Sequence, residues 1–202
     1  MTYTIKKIAF QDFSQLYKNR MKHDFPTNEL RPLFAIKRMF RKGIYTCYVM
    51  REGGETLGYA CLIFDKQTNV ALLDYYAVTQ TRRGEGLGSK FLSLLKPKLT
   101  VKGLIIEVEK PDCADTEAEA TTRRKRIEFY FKSESVMTDW QWDAFGVSYN
   151  LLWMPVKSGP ESIDFANLIR KFYEYSIPKF VLNHETAIHY LGSSDTIKKD
   201  KD

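Results

Sequence analysis

Apolar and polar positions alternate along the chain in two rhythms, one of short strands and one of amphipathic helices. Residues 3–9 place Tyr3, Ile5 and Ile8 at apolar positions and predict a first strand. Asp12 or Gln11 then caps a helix carrying Phe13, Leu16 and Tyr17. It ends before Phe25-Pro26, because proline disfavours helical geometry in the residue before it. Thr27 or Asn28 caps a second helix, with Leu30, Leu33, Phe34, Ile36, Met39 and Phe40 on its apolar side and Gly43 as its stop. Three strands follow. Ile44 to Met50 and Thr56 to Phe64 flank Gly53-Gly54, a pair able to supply the positive φ of a hairpin. After a turn at 65–69, Val70 to Val78 is strongly apolar and predicts a central strand, which makes the middle of the chain an antiparallel meander.

Beyond the meander, Gly86 to Pro97 predicts a helix and Leu104 to Val108 a short strand. Residues 110–122 form an acidic, small-residue loop, and Arg123 to Lys132 a helix. Val136 to Trp142 and Val147 to Val156 predict a hairpin, and residues 161–191 one or two helices broken near Pro178. Residues 193–202 predict a disordered tail. The fold class is therefore mixed α/β: a mostly antiparallel central sheet of about seven strands with helices on both faces.

Composition narrows the function classes. With 202 residues the chain can bury one sizeable core. It has no apolar run of about 18 residues, so no membrane span is expected. Its first residues read as a strand and not as a secretory leader. Cys47, Cys61 and Cys113 fit neither a disulfide framework nor a zinc spacing, and predict free thiols in a reducing cytoplasm and no metal. His184 and His189 are five apart, off the spacing of a zinc helix. The net charge of +6 sits partly in Lys198, Lys199 and Lys201. With no nucleic-acid motif beside it, it suits a phosphate-bearing ligand as well as it suits nucleic acid.

The candidate chemistry begins at Arg82-Arg83-Gly84-Glu85-Gly86-Leu87-Gly88-Ser89, between a strand and a helix start. Glycines let the backbone curl so that successive N–H groups face an anion, and the helix N-terminus adds unsatisfied donors and a partial positive charge. Arg82 or Arg83 can add charge. The spacing is not that of a P-loop, because Ser89 precedes Lys90. A dinucleotide fingerprint would need glycine at 89, and a meander precedes the turn instead of a βαβ start, although Glu107 lies at the distance that fingerprint expects.

The turn resembles the acyl-CoA motif of the GNAT superfamily, (Arg/Gln)-x-x-Gly-x-(Gly/Ala), with Arg83, Gly86 and Gly88 at its fixed positions. The resemblance is to bacterial-type members and covers about residues 1–156, since the order of elements is also the family's. Residues 157–192 would be a C-terminal helical extension packed on that domain. The resemblance implies transfer of acetyl from acetyl-CoA to a primary amine, by direct attack in a ternary complex. The amides of Arg83, Gly84, Glu85, Gly86, Leu87, Gly88 and Ser89 would hold the pyrophosphate. Ala77 and Val78 would bond the pantetheine arm, and the Val78 N–H, where the family's strand bulges, would polarise the thioester carbonyl. Tyr130, in Arg126-Ile127-Glu128-Phe129-Tyr130, matches the family's general acid, although Lys132-Ser133-Glu134-Ser135 follows where the family usually has glycine.

For the base, Glu107 and Glu109 alternate with Ile106 and Val108 and so leave one face of their strand. Glu29, between the first two helices, is a third candidate, in the segment that lines the acceptor cleft in this superfamily. Arg123 to Arg126 could reach phosphates or serve a solvated helix start. Trp140 and Trp142 read as core or cleft wall. The expected partner is a small-molecule or peptide amine, with no nucleic acid and no membrane, for a monomer or homodimer. A non-catalytic acyl-CoA-binding regulator is the alternative, and a dinucleotide-binding oxidoreductase a more distant one.

Overall fold

Eight strands hydrogen-bond into one sheet in the order β1-β2-β3-β4-β5-β7-β6-β8, in a computed structural model that describes residues 2–27 and 29–192. The strands are β1 (Thr4–Ile8), β2 (Tyr45–Glu52), β3 (Glu55–Asp65), β4 (Val70–Val78), β5 (Gly103–Glu109), β6 (Val136–Ala144), β7 (Val147–Pro155) and β8 (Thr186–Tyr190). Every neighbouring pair is antiparallel except β4 and β5, which are parallel. The meander β2-β3-β4 forms where its apolar runs predict it, and Gly53 and Gly54 turn the first hairpin at φ 55° and 92°.

Among the described residues six helices flank the sheet: α1 (Phe10–Leu16), α2 (Leu33–Arg41), α3 (Leu87–Leu95), α4 (Glu117–Lys132), α5 (Phe165–Glu174) and α6 (Lys179–Glu185). α1 runs on through a π-helical turn at Tyr17–Met21 to Asp24, then stops before Pro26. Two buried clusters mark the two faces. Phe13, Met21, Ile36, Met39, Leu168 and Phe172 pack α1, α2 and α5 on one face. Leu87, Phe91, Leu92 and Tyr130 pack α3 and α4 on the other.

Several boundaries differ from expectation. α1 starts at Phe10 behind Ala9, with no side-chain cap from Gln11 or Asp12. α2 starts at Leu33, behind Pro32, and not behind Thr27; Asn28 lies outside the described residues. α4 starts at Glu117, not Arg123: the Thr116 hydroxyl accepts the Glu119 N–H at 3.2 Å, and Glu119 reaches back to the Asp115 N–H. Thr186–Tyr190, expected to be helical, is the eighth strand. Its β-branched Thr186 and Ile188 alternate with Ala187 and His189, and it pairs with the open edge of β6. The expected tail at 193–202 lies outside the described residues.

Candidate active site

The site begins where β4 and β5 part. They pair only at Ala71–Leu104 and Leu72–Ile105, so from Leu73 onward β4 has an open edge facing β5. Along that stretch the alternation of β4 can be followed atom by atom. Thr79 N–H donates to the Leu57 carbonyl of β3 at 2.7 Å, so the N–H of the preceding residue, Val78, faces the other way, into the gap. Ala77, by the same alternation, turns its backbone groups toward β3. Of the two pantetheine candidates, Val78 is the one whose backbone is available.

The expected bulge of β4 is present, but four residues earlier than Val78. Tyr75 pairs with Cys61 and Leu73 with Leu62, which leaves Asp74 as the extra residue. A bulge turns two consecutive side chains toward the same face. Here Asp74 and Tyr75 both meet Arg31, in the loop before α2. The Arg31 guanidinium donates to Asp74 Oδ1 at 2.7 Å, and the Arg31 N–H donates to the Tyr75 hydroxyl at 2.7 Å. Tyr45 donates to Asp74 Oδ2 at 2.9 Å, and the Tyr75 hydroxyl donates to the Glu29 carbonyl at 3.0 Å. Both charged side chains of the ion pair are almost fully buried, at 9% and 4% exposure. A buried guanidinium and carboxylate are tolerable only because each is hydrogen-bonded as well as paired. Sequence reading passed over this network; the one signal for it is an aspartate inside the apolar run Val-Ala-Leu-Leu-Asp-Tyr-Tyr-Ala-Val.

On the α3 side, the glycine turn is shaped as an anion cradle. Gly84 and Gly86 have φ of 89° and 75°, and a Cβ at either would meet nothing within 4 Å. Gly86 is the left-handed residue that starts α3, and its carbonyl takes the first intrahelical bond, from Lys90 N–H at 3.0 Å. The N–H groups of Leu87, Gly88 and Ser89 therefore precede the hydrogen-bonded ladder and point out of the helix start. Gly88 has a different reason to be glycine: a Cβ there would lie 2.9 Å from the Phe129 ring of α4. Arg82 is committed to Glu52 at 2.8 Å and Glu85 at 2.9 Å, whereas exposed Arg83 has no ion pair among the described residues and is the cation available to a phosphate. The open edge of β4, the free amides and Arg83 together fit the pantetheine and pyrophosphate of acetyl-CoA.

Tyr130 is buried on this same face, and burial pushes its phenol up to about 12, against a smaller opposite pull from Arg126. Glu107 belongs to the opposite face. Its carboxyl accepts the Tyr173 hydroxyl at 2.8 Å, and burial pushes it up to about 7, with the Tyr173 hydrogen bond and Arg31 pulling back. Glu109 instead takes two arginines, Arg126 at 3.0 Å and Arg123 at 3.6 Å. Glu29, in the loop before α2, is exposed, its carboxyl raised by partial desolvation and by Glu109, with Arg126 pulling back. Glu107 thus meets α5 on one face of the sheet and Tyr130 packs on the other, while Glu109, which influences Glu29, is tied to arginines of α4.

The remaining sequence candidates are spent elsewhere. Arg123 also binds Glu119 and the Lys110 carbonyl, and Arg124 pairs with Glu117, so these cations serve the start of α4 and the end of β5. Trp142 is fully buried core, and His189 pairs with Asp143 at 2.8 Å. Among the described residues no helix is long and apolar enough to cross a membrane.

Comparisons with known proteins bear on the family and the fold. The model of the acetyltransferase (GNAT) family matches residues 10–118, more than half of the chain. No curated protein matches the chain by sequence. Among solved structures, one assigned to the GNAT family of acetyltransferases from Bacteroides thetaiotaomicron has a TM-score of 0.67 at 18% identity, over 86% of this chain and 99% of that one. The ribosomal-protein-S18-alanine N-acetyltransferase from Escherichia coli scores 0.54 at 17% identity, over 81% and 100% of the two chains. Spermidine N-acetyltransferase from Vibrio cholerae, in complex with CoA and spermine, scores 0.53 at 12% identity, over 77% and 96%. At these identities the structures speak for the fold, while the family model speaks for descent: the chain belongs to the GNAT acetyltransferase family and is an acyl-CoA-dependent N-acetyltransferase.

Proposed function

We propose that the protein transfers acetyl from acetyl-CoA to a primary amine by direct attack within a ternary complex. The parting of β4 from β5 carries this reading, because it joins a donor face bearing the anion cradle and Tyr130 to an acceptor face bearing Glu107. When bound, acetyl-CoA supplies an activated thioester carbonyl. The amides of Leu87, Gly88 and Ser89 and the Arg83 guanidinium hold the pyrophosphate. The Val78 N–H, aimed into the gap, donates to the carbonyl oxygen as charge develops there.

Glu107 takes the amine proton, directly or through a water. A carboxyl near 7 has the basicity for this and is still substantially ionised at neutral pH. Glu109 is less suited, since both its oxygens are already engaged by arginines. Tyr130, raised to about 12, stays protonated and returns a proton to the leaving thiolate. Exposed Glu29 attracts the cationic acceptor. The acceptor is a small-molecule or peptide amine; the names of the relatives include both a polyamine and a ribosomal protein, which supports an amine without choosing between them. Free, buried Cys47 and Cys61 suit a cytoplasmic enzyme, acting as monomer or homodimer without metal.

Initial-rate kinetics with both substrates varied test the order of events. A ternary complex gives intersecting reciprocal lines; parallel lines, the pattern of an acetylated enzyme, would overturn direct attack. In the same assay Tyr130→Phe is expected to lower turnover by roughly 10²-fold or more with acetyl-CoA binding retained.

A further inference from the structure

The strongest contact to the proposed base comes from outside the part of the chain that the family model covers. Tyr173 lies in the last turn of α5 and gives its hydroxyl hydrogen to Glu107 Oε1 at 2.8 Å. Its ring is held from three sides. The Arg31 guanidinium lies 4.7 Å from the ring centroid, Trp142 meets it edge-on at 5.4 Å, and Phe145 stacks on it at 6.4 Å with 19° between planes. Arg31 is itself pinned by Asp74 and bonded to Ser176, three residues beyond Tyr173. A tyrosine so packed has little freedom, so its hydroxyl fixes where the carboxylate points.

We infer that Tyr173 is a positioning residue for the reaction, holding the Glu107 carboxylate in the orientation that receives the amine proton, with the Arg31–Asp74 pair locking Tyr173 in place. The C-terminal segment is then part of the catalytic apparatus and not only a cover for the sheet. This rests on the reading of Glu107 as the base.

The groups facing Glu107 set the sign of the pH effect. Tyr173 and Arg31 favour its ionised form, and Asp74 on β4 opposes it. Tyr149 on β7 also faces it, and is itself influenced by Glu29 and Glu109. Burial and the Glu107 charge both keep the Tyr173 phenol protonated, so it remains a donor throughout the working range. A base must be ionised, so activity rises with pH through the Glu107 titration. Removing a hydrogen bond to the ionised form moves that rise to higher pH.

The test is the pH profile of kcat/KM for the acceptor, measured on the full chain in four forms: wild type, Tyr173→Phe, Glu107→Gln and the double variant. Phenylalanine keeps the ring and its packing, and a thermal melt with and without acetyl-CoA checks folding. Tyr173→Phe is expected to shift the acidic limb up by about one pH unit, a roughly tenfold deficit below the limb that shrinks above it. In the Glu107→Gln background the same change is expected to cost nothing further. A Tyr173→Phe deficit that is constant with pH, or that adds in full to Glu107→Gln, would overturn the inference. So would an unshifted limb in Tyr173→Phe when Glu107→Gln has lost the limb, and the base assignment would then stand. If Glu107→Gln keeps the wild-type limb, the base assignment itself fails, and the positioning role falls with it.

Discussion

Glu134 occupies left-handed backbone at φ 67°, two residues beyond the end of α4. The Ser135 N–H donates to the Tyr130 carbonyl and the Glu134 N–H to the Phe131 carbonyl, both at 3.0 Å, which is the Schellman pattern of a helix end. This is where the family usually has glycine, and the geometry is kept without it. The absence of glycine therefore no longer favours a non-catalytic relative with a distorted Tyr130 helix. A side chain in left-handed backbone costs about 1 kcal/mol or more, and the exposed ion pair with Lys96 offsets only part of that. Glu134→Gly is thus expected to raise stability by about 0.5–1 kcal/mol in denaturant titrations; a loss of stability would show that the Lys96 pair matters more than the backbone. Legibility at this scale divides along the same line. Tyr130, Gly84 and Gly86 announce themselves by local pattern. Arg31, Asp74 and Tyr173 do not, because their meaning comes from partners 29 to 145 positions away in sequence.

The elements were legible wherever one period ran unbroken, as in the meander and in α3. They were misread where local and distant effects compete. The N-terminus of α4 is set by the Thr116–Glu119 box, a signal present in the sequence but masked by the acidic loop around it. β8 is a strand because β6 offers an unpaired edge, which no local pattern can reveal. The glycine turn itself contains two kinds of glycine, and they separate in experiment. Gly88→Ala pushes a Cβ against Phe129 and is expected to cost about 1–3 kcal/mol of stability while keeping most of the thermal stabilisation by acetyl-CoA. Gly86→Val places a β-branched residue at positive φ, where its side chain stands at the mouth of the cradle, and is expected to remove that stabilisation. Identical responses in the two variants would mean that the two glycines are not distinguished as proposed.

Across the described residues, the sheet separates two layers of helices. α3 and α4 cover one face, α1, α2 and α5 the other, and β4 and β5 part between them. The divergence has a local cause: only two residue pairs join β4 to β5, while the bulge at Asp74 commits the next stretch of β4 to Arg31 and Tyr45. Sequence order was enough to predict the layers, but not that the C-terminal segment closes the acceptor side onto Glu107. On the proposed mechanism an amine entering from one face meets a donor held on the other. The decisive assay is release of free CoA from acetyl-CoA in the presence of a panel of amines: a polyamine, an aminoglycoside, free amino acids and a peptide with a free N-terminus. The proposed transfer is expected to show release that depends on at least one amine, and a rate at least roughly 10²-fold lower in Tyr130→Phe. Stabilisation by acetyl-CoA with no acceptor-dependent release across the panel would contradict it, and would leave an acyl-CoA-binding protein without transfer chemistry.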